Sequence, residues 1–248
     1  MNNNLTSQST VGQWIAQFPQ WSVVFEQLNI DYCCGGKKPL DAACKQAGLD
    51  ADTLVTALKA AAALPLAAEP NSAAMTLTQL ADHIEQTHHA YLRQALPAIH
   101  QMSARVADRH GENNPALRQL FTVFDALCEE LSEHMLKEER ILFPIIRQLD
   151  AQDADAQKTA AASDCGSVSN PITQMEHEHD NAGQALAKMS ELTNGFVIPQ
   201  GACKTYTAML QAMASFEQDM HRHIHKENNV LFPRAAQREA ELLSAAAS

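Results

Sequence analysis

The sequence predicts an all-α protein, an antiparallel four-helix bundle preceded by a small helical N-terminal domain. Three observations lead there. Hydrophobic residues make up 46% of the 248 positions but aromatics only 5%; alanine, leucine and methionine carry the apolar content, and they favour packed helices over the β-branched and aromatic surfaces of sheets. Four long segments show apolar residues at helical spacing, joined by shorter connections. An eleven-residue motif also occurs twice, in the second and fourth of these segments. Only nine glycines serve the chain, which argues against a turn-rich β architecture.

Residues 11–64 read as several short helices. VGQWIAQFPQWSVVFEQL has helical spacing broken at Pro19, DYCCGGKKP makes a glycine-rich turn, and LDAACKQAG and DADTLVTALKAAAAL follow. Residues 67–72 (AAEPNS) read as a linker. The first bundle helix spans about Thr76 to Asp108 with Pro97 as a kink, and the second about Pro115 to Gln148. Residues 150–170, which include Cys165, are polar and small and read as an exposed loop. The third helix begins after Asn170-Pro171, an N-cap followed by proline at the first helical position, and ends near Asn194-Gly195. The fourth runs from about Ala202 to Arg238. These boundaries give two domains, 1–68 and 75–240.

The repeat carries the chemistry. His134-Met-Leu-Lys-Glu138-Glu-Arg-Ile-Leu-Phe-Pro144 and His223-Ile-His-Lys-Glu227-Asn-Asn-Val-Leu-Phe-Pro233 both read H-x-x-K-E-x-x-[IV]-L-F-P. In the second helix the apolar stripe Leu117, Phe121, Phe124, Cys128, Leu131, Met135, Leu142, Ile145 passes through Glu138, with His134 beside it. In the fourth, Met213, Phe216, Met220 and Val230 share their stripe with His223 and Glu227. A carboxylate on a buried seam is costly unless paired or metal-bound. Positions i and i+4 lie on one face, so each pair offers an imidazole and a carboxylate to one interior point. A single His-x-x-x-Glu pair is ordinarily a solvated surface pair; two within a repeated motif, both on the seam, are not.

The partner helices supply further ligands. The third helix's seam, Ile172, Met175, Ala182, Leu186 and Met189, includes His179. In the first helix both His88 and His89 lie near the seam. Repeat spacing favours His89: His89 to His134 is 45 residues, against 44 for His179 to His223. His221 and His225, roughly 200° round the helix from His223, are expected to face solvent. Four histidines and two glutamates at one level suit two first-row metals, and iron is the expected pair. Zinc is the alternative, but a mononuclear zinc site would leave buried carboxylates unpaired. Two shared carboxylates, Glu138 and Glu227, could bridge the pair, leaving positions for an oxo or hydroxo bridge, dioxygen, nitric oxide or peroxide.

Taken together, DYCCGGK (31–37), H-x-x-Y-x-R-x-x-L-P from His88, HMLKEERILFP, MEHEHDNAG (175–183) and HIHKENNVLFPRA, in this order, resemble the hemerythrin-like Repair of Iron Centres family, also called ScdA/YtfE-type di-iron proteins. The resemblance covers nearly the whole chain. It implies a ScdA-type domain ahead of a hemerythrin-like bundle, with the metal ligands at His89, His134, Glu138, His179, His223 and Glu227. It implies repair of iron–sulfur clusters damaged by nitric oxide or oxidants, iron donation or nitrosyl handling at two non-haem irons, and a cytoplasmic, often dimeric protein. Oxygen-carrying hemerythrins have five histidines, one glutamate and one aspartate; here four histidines match and glutamate fills both carboxylate places. A nitric oxide-reducing enzyme and a reversible O2 or NO sensor are the alternatives.

Cys33 and Cys34, followed by Lys37 and Lys38, are the candidate redox or metal-transfer residues, because nearby cations lower a thiol's pKa and exposure makes it reactive. Cys44, Cys128 and Cys203 are expected to be packing residues. Six cysteines in a protein of this size do not indicate a disulfide framework. The net charge of −11 argues against a DNA- or RNA-coating surface, no apolar run approaches the roughly 20 residues that span a bilayer, and MNNNLTSQST has no signal-peptide character.

Overall fold

The structure, a computed structural model, describes residues 5–61, 72–151 and 167–246. The expected loop around Cys165, and all of the expected linker but Ser72, lie outside the described residues. Among the described residues the protein is helical, and the sole β interaction is an isolated bridge between Thr10 and Pro39. Four short helices come first: α1 (Val11–Gln17), α2 (Ser22–Gln27), α3 (Leu40–Gln46) and α4 (Ala51–Ala61). The bundle helices are α5 (Leu77–Ile84) continuing into α6 (Ala90–His110), α7 (Ala116–Lys137) into α8 (Phe143–Ala151), α9 (Ser169–Thr193), and α10 (Lys204–Lys226) into α11 (Phe232–Ala246). No described helix is long and apolar enough to cross a membrane.

Local chemistry explains the boundaries. Thr10 caps α1 in a capping box, its hydroxyl accepting from Gln13 N while Gln13 Oε1 accepts from Thr10 N. The third bundle helix starts at Ser169, not after Asn170. Pro171 falls in the first turn, where its missing N–H would have no intrahelical partner anyway, so the helix extends back past it. It stops where expected: Asn194 (φ 51°) and Gly195 (φ 71°) turn left-handed, and Gly195 N donates to Ser190 O. Pro97 does not interrupt α6. Among the described residues the irregularities fall elsewhere, in three π-helical turns at Glu85–His89, Glu138–Leu142 and Glu227–Leu231. The fourth helix runs on past Arg238 to Ala246.

The described residues form two compact units. One comprises residues 81–148 and 167–220. In it α7 packs against both α6 and α9, and Phe124 meets Phe216 of α10 edge-on at 5.6 Å. Its core is Leu92, Leu96, Ile99, Leu120, Phe124, Leu127, Leu131, Met175, Leu186, Met189, Met213 and Phe216. Arg147 bonds Asp82 and Glu85, fixing the start of the first π turn.

The other unit comprises residues 5–61, 72–80, 149–151 and 221–246. Val11, Trp14, Ile15, Trp21, Phe25, Ile30, Tyr32, Leu40, Cys44 and Leu58 form the core of the short helices. Trp14 and Trp21 pack with centroids 5.7 Å apart, and Trp14 Nε1 donates to Thr6 O. In this unit α1 packs on the Glu227–Leu231 turn.

Candidate metal centre

All three π turns contain or adjoin residues that the repeat singles out. The π register inserts an extra residue into the hydrogen-bond ladder, and such turns cluster at functional sites. Glu138 opens one turn and Glu227 another, while His88 and His89 close the third. His89, His134, Glu138, His179, His223 and Glu227 are all at most 2% exposed.

Within the first unit the structure brings four of these residues together. His89 Nε2 lies 3.2 Å from Glu138 Oε2, and His134 Nε2 lies 3.4 Å from the same oxygen. His134 Nε2 and His179 Nε2 face each other at 3.1 Å. His134, Glu138 and His179 each offer one ligand atom, all within 4.8 Å of one another, a set that could hold a metal ion. Neither oxygen of Glu138 has a hydrogen-bond partner among the described residues, although the group is wholly buried. A buried, unbonded carboxylate carries a large desolvation cost; two or three converging imidazole nitrogens and a cation would remove it. The donor set therefore fits a metal.

The second unit holds the other pair, with His223 Nε2 3.0 Å from Glu227 Oε1 and both side chains fully buried. His88, the alternative to His89, directs its Nδ1 to Asp219 Oδ1 at 2.9 Å.

Sequence reading missed the carboxylates behind the imidazoles. His89 Nδ1 pairs with Glu139 Oε1 at 2.7 Å, and Arg93 also bonds Glu139. His134 Nδ1 pairs with Glu178 Oε2 at 2.9 Å, while Lys137 and Gln174 donate to Glu178 Oε1. A carboxylate accepting the Nδ1 proton leaves the Nε2 lone pair directed inward, the usual support of a metal-bound histidine. The signal was in the sequence: Glu139 follows Glu138 and Glu178 precedes His179. Burial raises Glu139's carboxyl, but the hydrogen bonds from His89 and Arg93 outweigh it and hold it below the usual range. The His134 hydrogen bond, aided by Lys137 and Gln174 against burial, holds Glu178 at about 2 instead of 4.5.

The sign of the pH effect follows. Glu178's folded pKa is depressed, so its stabilising contribution is complete above about pH 4.5 and is lost as pH falls towards about 2. The stability difference between wild type and Glu178→Ala should shrink through that window in urea titrations. At neutral pH Glu178→Ala should bind metal roughly 10–100-fold more weakly in chelator competition, with Glu178→Gln intermediate because its amide oxygen still accepts from His134.

Two histidines expected in solvent are not there. His225 is buried and His221 half-buried, because the N-terminal helices of the same unit cover them. His225 lies 3.2 Å from Tyr32 O, and burial pulls its pKa down to about 4. The cysteine turn also differs from expectation. Cys33 is buried, Cys34 half-buried, and their sulfurs lie 3.9 Å apart. The Cys34 hydrogen bond, burial and the Asp31 carboxylate push the Cys33 thiol well above its ordinary range. Lys38 does not offset this; its Nζ bonds Gln46. Asp31 shapes the turn by accepting from Cys33 N and Gly35 N. Cys44 is buried as expected and Cys128 half-buried, but Cys203 is exposed, 3.4 Å from His110 Nε2. His100, which has no acidic partner along its own helix, pairs with Asp125 of α7 at 2.7 Å.

The bundle and its buried imidazole–carboxylate sets define a cation-binding helical protein, and residues 80–235 match the hemerythrin HHE cation binding domain. Residues 7–62 match a domain described as of unknown function (ScdA_N, DUF542). The chain is 37% identical over 230 residues to the iron-sulfur cluster repair protein YtfE of Pectobacterium atrosepticum, a match covering 93% of this chain and 97% of that protein. It is 37% identical over 234 residues to the protein of that name from Yersinia pseudotuberculosis, with the same coverage. The chain belongs to this hemerythrin-like family of YtfE-type proteins.

Proposed function

We propose that this protein repairs iron–sulfur clusters damaged by nitrosative or oxidative stress, using a pair of non-haem irons held by His89, His134, Glu138, His179, His223 and Glu227. Glu138 and Glu227 are the bridging carboxylates. The observation that carries this reading is the wholly buried carboxylate of Glu138, without a hydrogen-bond partner among the described residues, beside the Nε2 atoms of His89 and His134. The repeated H-x-x-K-E motif supports joining the His223–Glu227 pair to the same centre, since each half of the bundle then supplies one histidine and one glutamate from equivalent positions. The names of the relatives support the repair role.

When bound, the irons supply open coordination positions and exchangeable metal. The chain's own residues prepare the place. Glu139 and Glu178 hold the Nδ1 protons of His89 and His134, directing the opposite nitrogens' lone pairs inward for ligation. The apolar seam excludes water. The raised Cys33 thiol holds its proton until a metal ion displaces it, which suits a transfer site better than a permanently reactive nucleophile. We place the protein in the cytoplasm, as a homodimer, with damaged iron–sulfur proteins as its partners.

Reactivation of a nitric oxide-damaged cluster enzyme by the iron-loaded protein tests the reading. Wild type should restore activity with loss of its own iron, and Cys33→Ala/Cys34→Ala should restore it at least about tenfold more slowly while holding the same iron. Equal repair by the double variant would remove the cysteines from the mechanism. Catalytic consumption of nitric oxide without iron loss would favour the enzyme reading instead.

A further inference from the structure

Two side chains of the fourth bundle helix meet the DYCCGG turn: His225, whose Nδ1 lies 3.2 Å from Tyr32 O and 3.3 Å from Asn229 Nδ2, and Asn229, which reaches Cys33 as well. Asn229 Nδ2 lies 3.2 Å from Tyr32 O and 3.0 Å from Cys33 O. Both partners are carbonyl oxygens, so the amide nitrogen must be the atom that faces them. Oδ1 points into a notch lined by two glycines: a Cβ on Gly36 would stand 2.3 Å from it and one on Gly12 2.6 Å. Those glycines are tied to each other, Gly12 N donating to Gly36 O at 2.8 Å. Alanine at either position would displace the Asn229 side chain.

Asn229 lies two residues after Glu227 in the same π turn, Glu227–Leu231. The local register that sets the direction of Glu227 therefore also sets the direction in which Asn229 leaves the helix. Shifting that turn towards α-helical register would rotate Asn229 out of the glycine notch and release two hydrogen bonds.

We propose that Asn229 is a positioning residue that seats the Cys33–Cys34 turn on the helical turn carrying Glu227, so that seating of the thiols and setting of Glu227 form one equilibrium. The coupling rests on the reading of Glu227 as a metal ligand. It is reciprocal: a bound metal holds the cysteine turn closed, and release of the turn loosens the metal.

The test is iodoacetamide alkylation of Cys33 and Cys34 in the full-length chain, mapped by mass spectrometry, iron-free and loaded with Fe(II). The variants are Asn229→Ala, Gly36→Ala and the double variant, with helicity and melting temperature as folding controls. Alkylation of a buried thiol reports local opening, and two lost hydrogen bonds should raise it roughly tenfold or more in Asn229→Ala. Gly36→Ala should do the same by expelling the amide, and should add little in the double variant, where the obstruction is gone. Iron should slow Cys33 alkylation several-fold in wild type and not in Asn229→Ala. Asn229→Asp, nearly isosteric but unable to donate to either carbonyl, should behave like the alanine variant and serves if that variant misfolds. Wild-type rates in the Asn229 variants, or full additivity in the double variant, would overturn the seating role. If wild type binds iron but iron leaves Cys33 alkylation unchanged, the coupling is overturned. If wild type binds no iron, the metal assignment fails, and the iron-free comparison alone decides whether Asn229 holds the turn.

Discussion

Glu138→Gln is expected to reduce bound iron from two ions per chain to one or none while leaving the iron-free protein as stable as wild type or more so. The two signs have one cause. Glu138 is wholly buried, and neither oxygen has a hydrogen-bond partner among the described residues, so the iron-free fold carries its desolvation cost unrelieved. A neutral amide of the same shape costs less to bury than a carboxylate without good partners. On the proposed assignment the loaded protein depends on that same carboxylate as a shared ligand. Iron analysis with Mössbauer spectroscopy, beside thermal melts of the iron-free forms, checks both halves. A spin-coupled pair in wild type that is absent from the variant supports the bridging role. An iron-free variant melting well below wild type would mean that Glu138 is a structural residue whose partners lie in the protein, and full iron retention would remove it from the ligand set.

Trp14→Ala is the other large effect. Trp14 is fully buried at the centre of a core made of N-terminal residues, packed on Trp21 and bonded to Thr6 O. Truncating a buried aromatic costs about 3–5 kcal/mol, and a single small core supplies about that much in total. Residues 11–46 should therefore lose most of their amide protection in hydrogen exchange, by a factor of roughly 10² to 10³, while α7 keeps its own. Cys33 should become freely alkylated, since the turn loses its support. Retained protection across 11–46 would show that the helices draw their stability from elsewhere.

Much of this was legible in the sequence because it is local or periodic. Spacing by three and four placed Met213, Phe216, Met220, His223, Glu227 and Val230 on one stripe, and all six are buried. The third helix's seam through His179 behaves the same way. Asn194-Gly195 stopped that helix because left-handed backbone suits those residues. The all-α class followed from composition and from the length of the periodic segments. The resemblance read from the HMLKEERILFP and HIHKENNVLFPRA motifs is also what comparison with known proteins finds.

What was not legible depends on surfaces that no single helix displays. Periodicity treats a helix as alone, so His225 counted as solvent-facing until the N-terminal helices covered it. The lysines after the cysteine pair suggested an activated thiol, but thiol chemistry follows the nearest charge in space, and Asp31 and burial outweigh Lys38, which is turned to Gln46. A strict 3.6-residue period also hides a π turn, because the pattern slips by one residue where the ladder does. By itself the sequence determined the helices, the residue types offered to the interior and the apolar faces of the third and fourth bundle helices; in the second, Leu120, Leu127 and Ile146 are buried where Phe121, Cys128 and Ile145 are only half-buried. Only the tertiary structure decided which carboxylates stand behind His89 and His134, and that Asn229 fills a notch left by two glycines, because those contacts join residues tens to hundreds of positions apart through packing that local spacing does not encode.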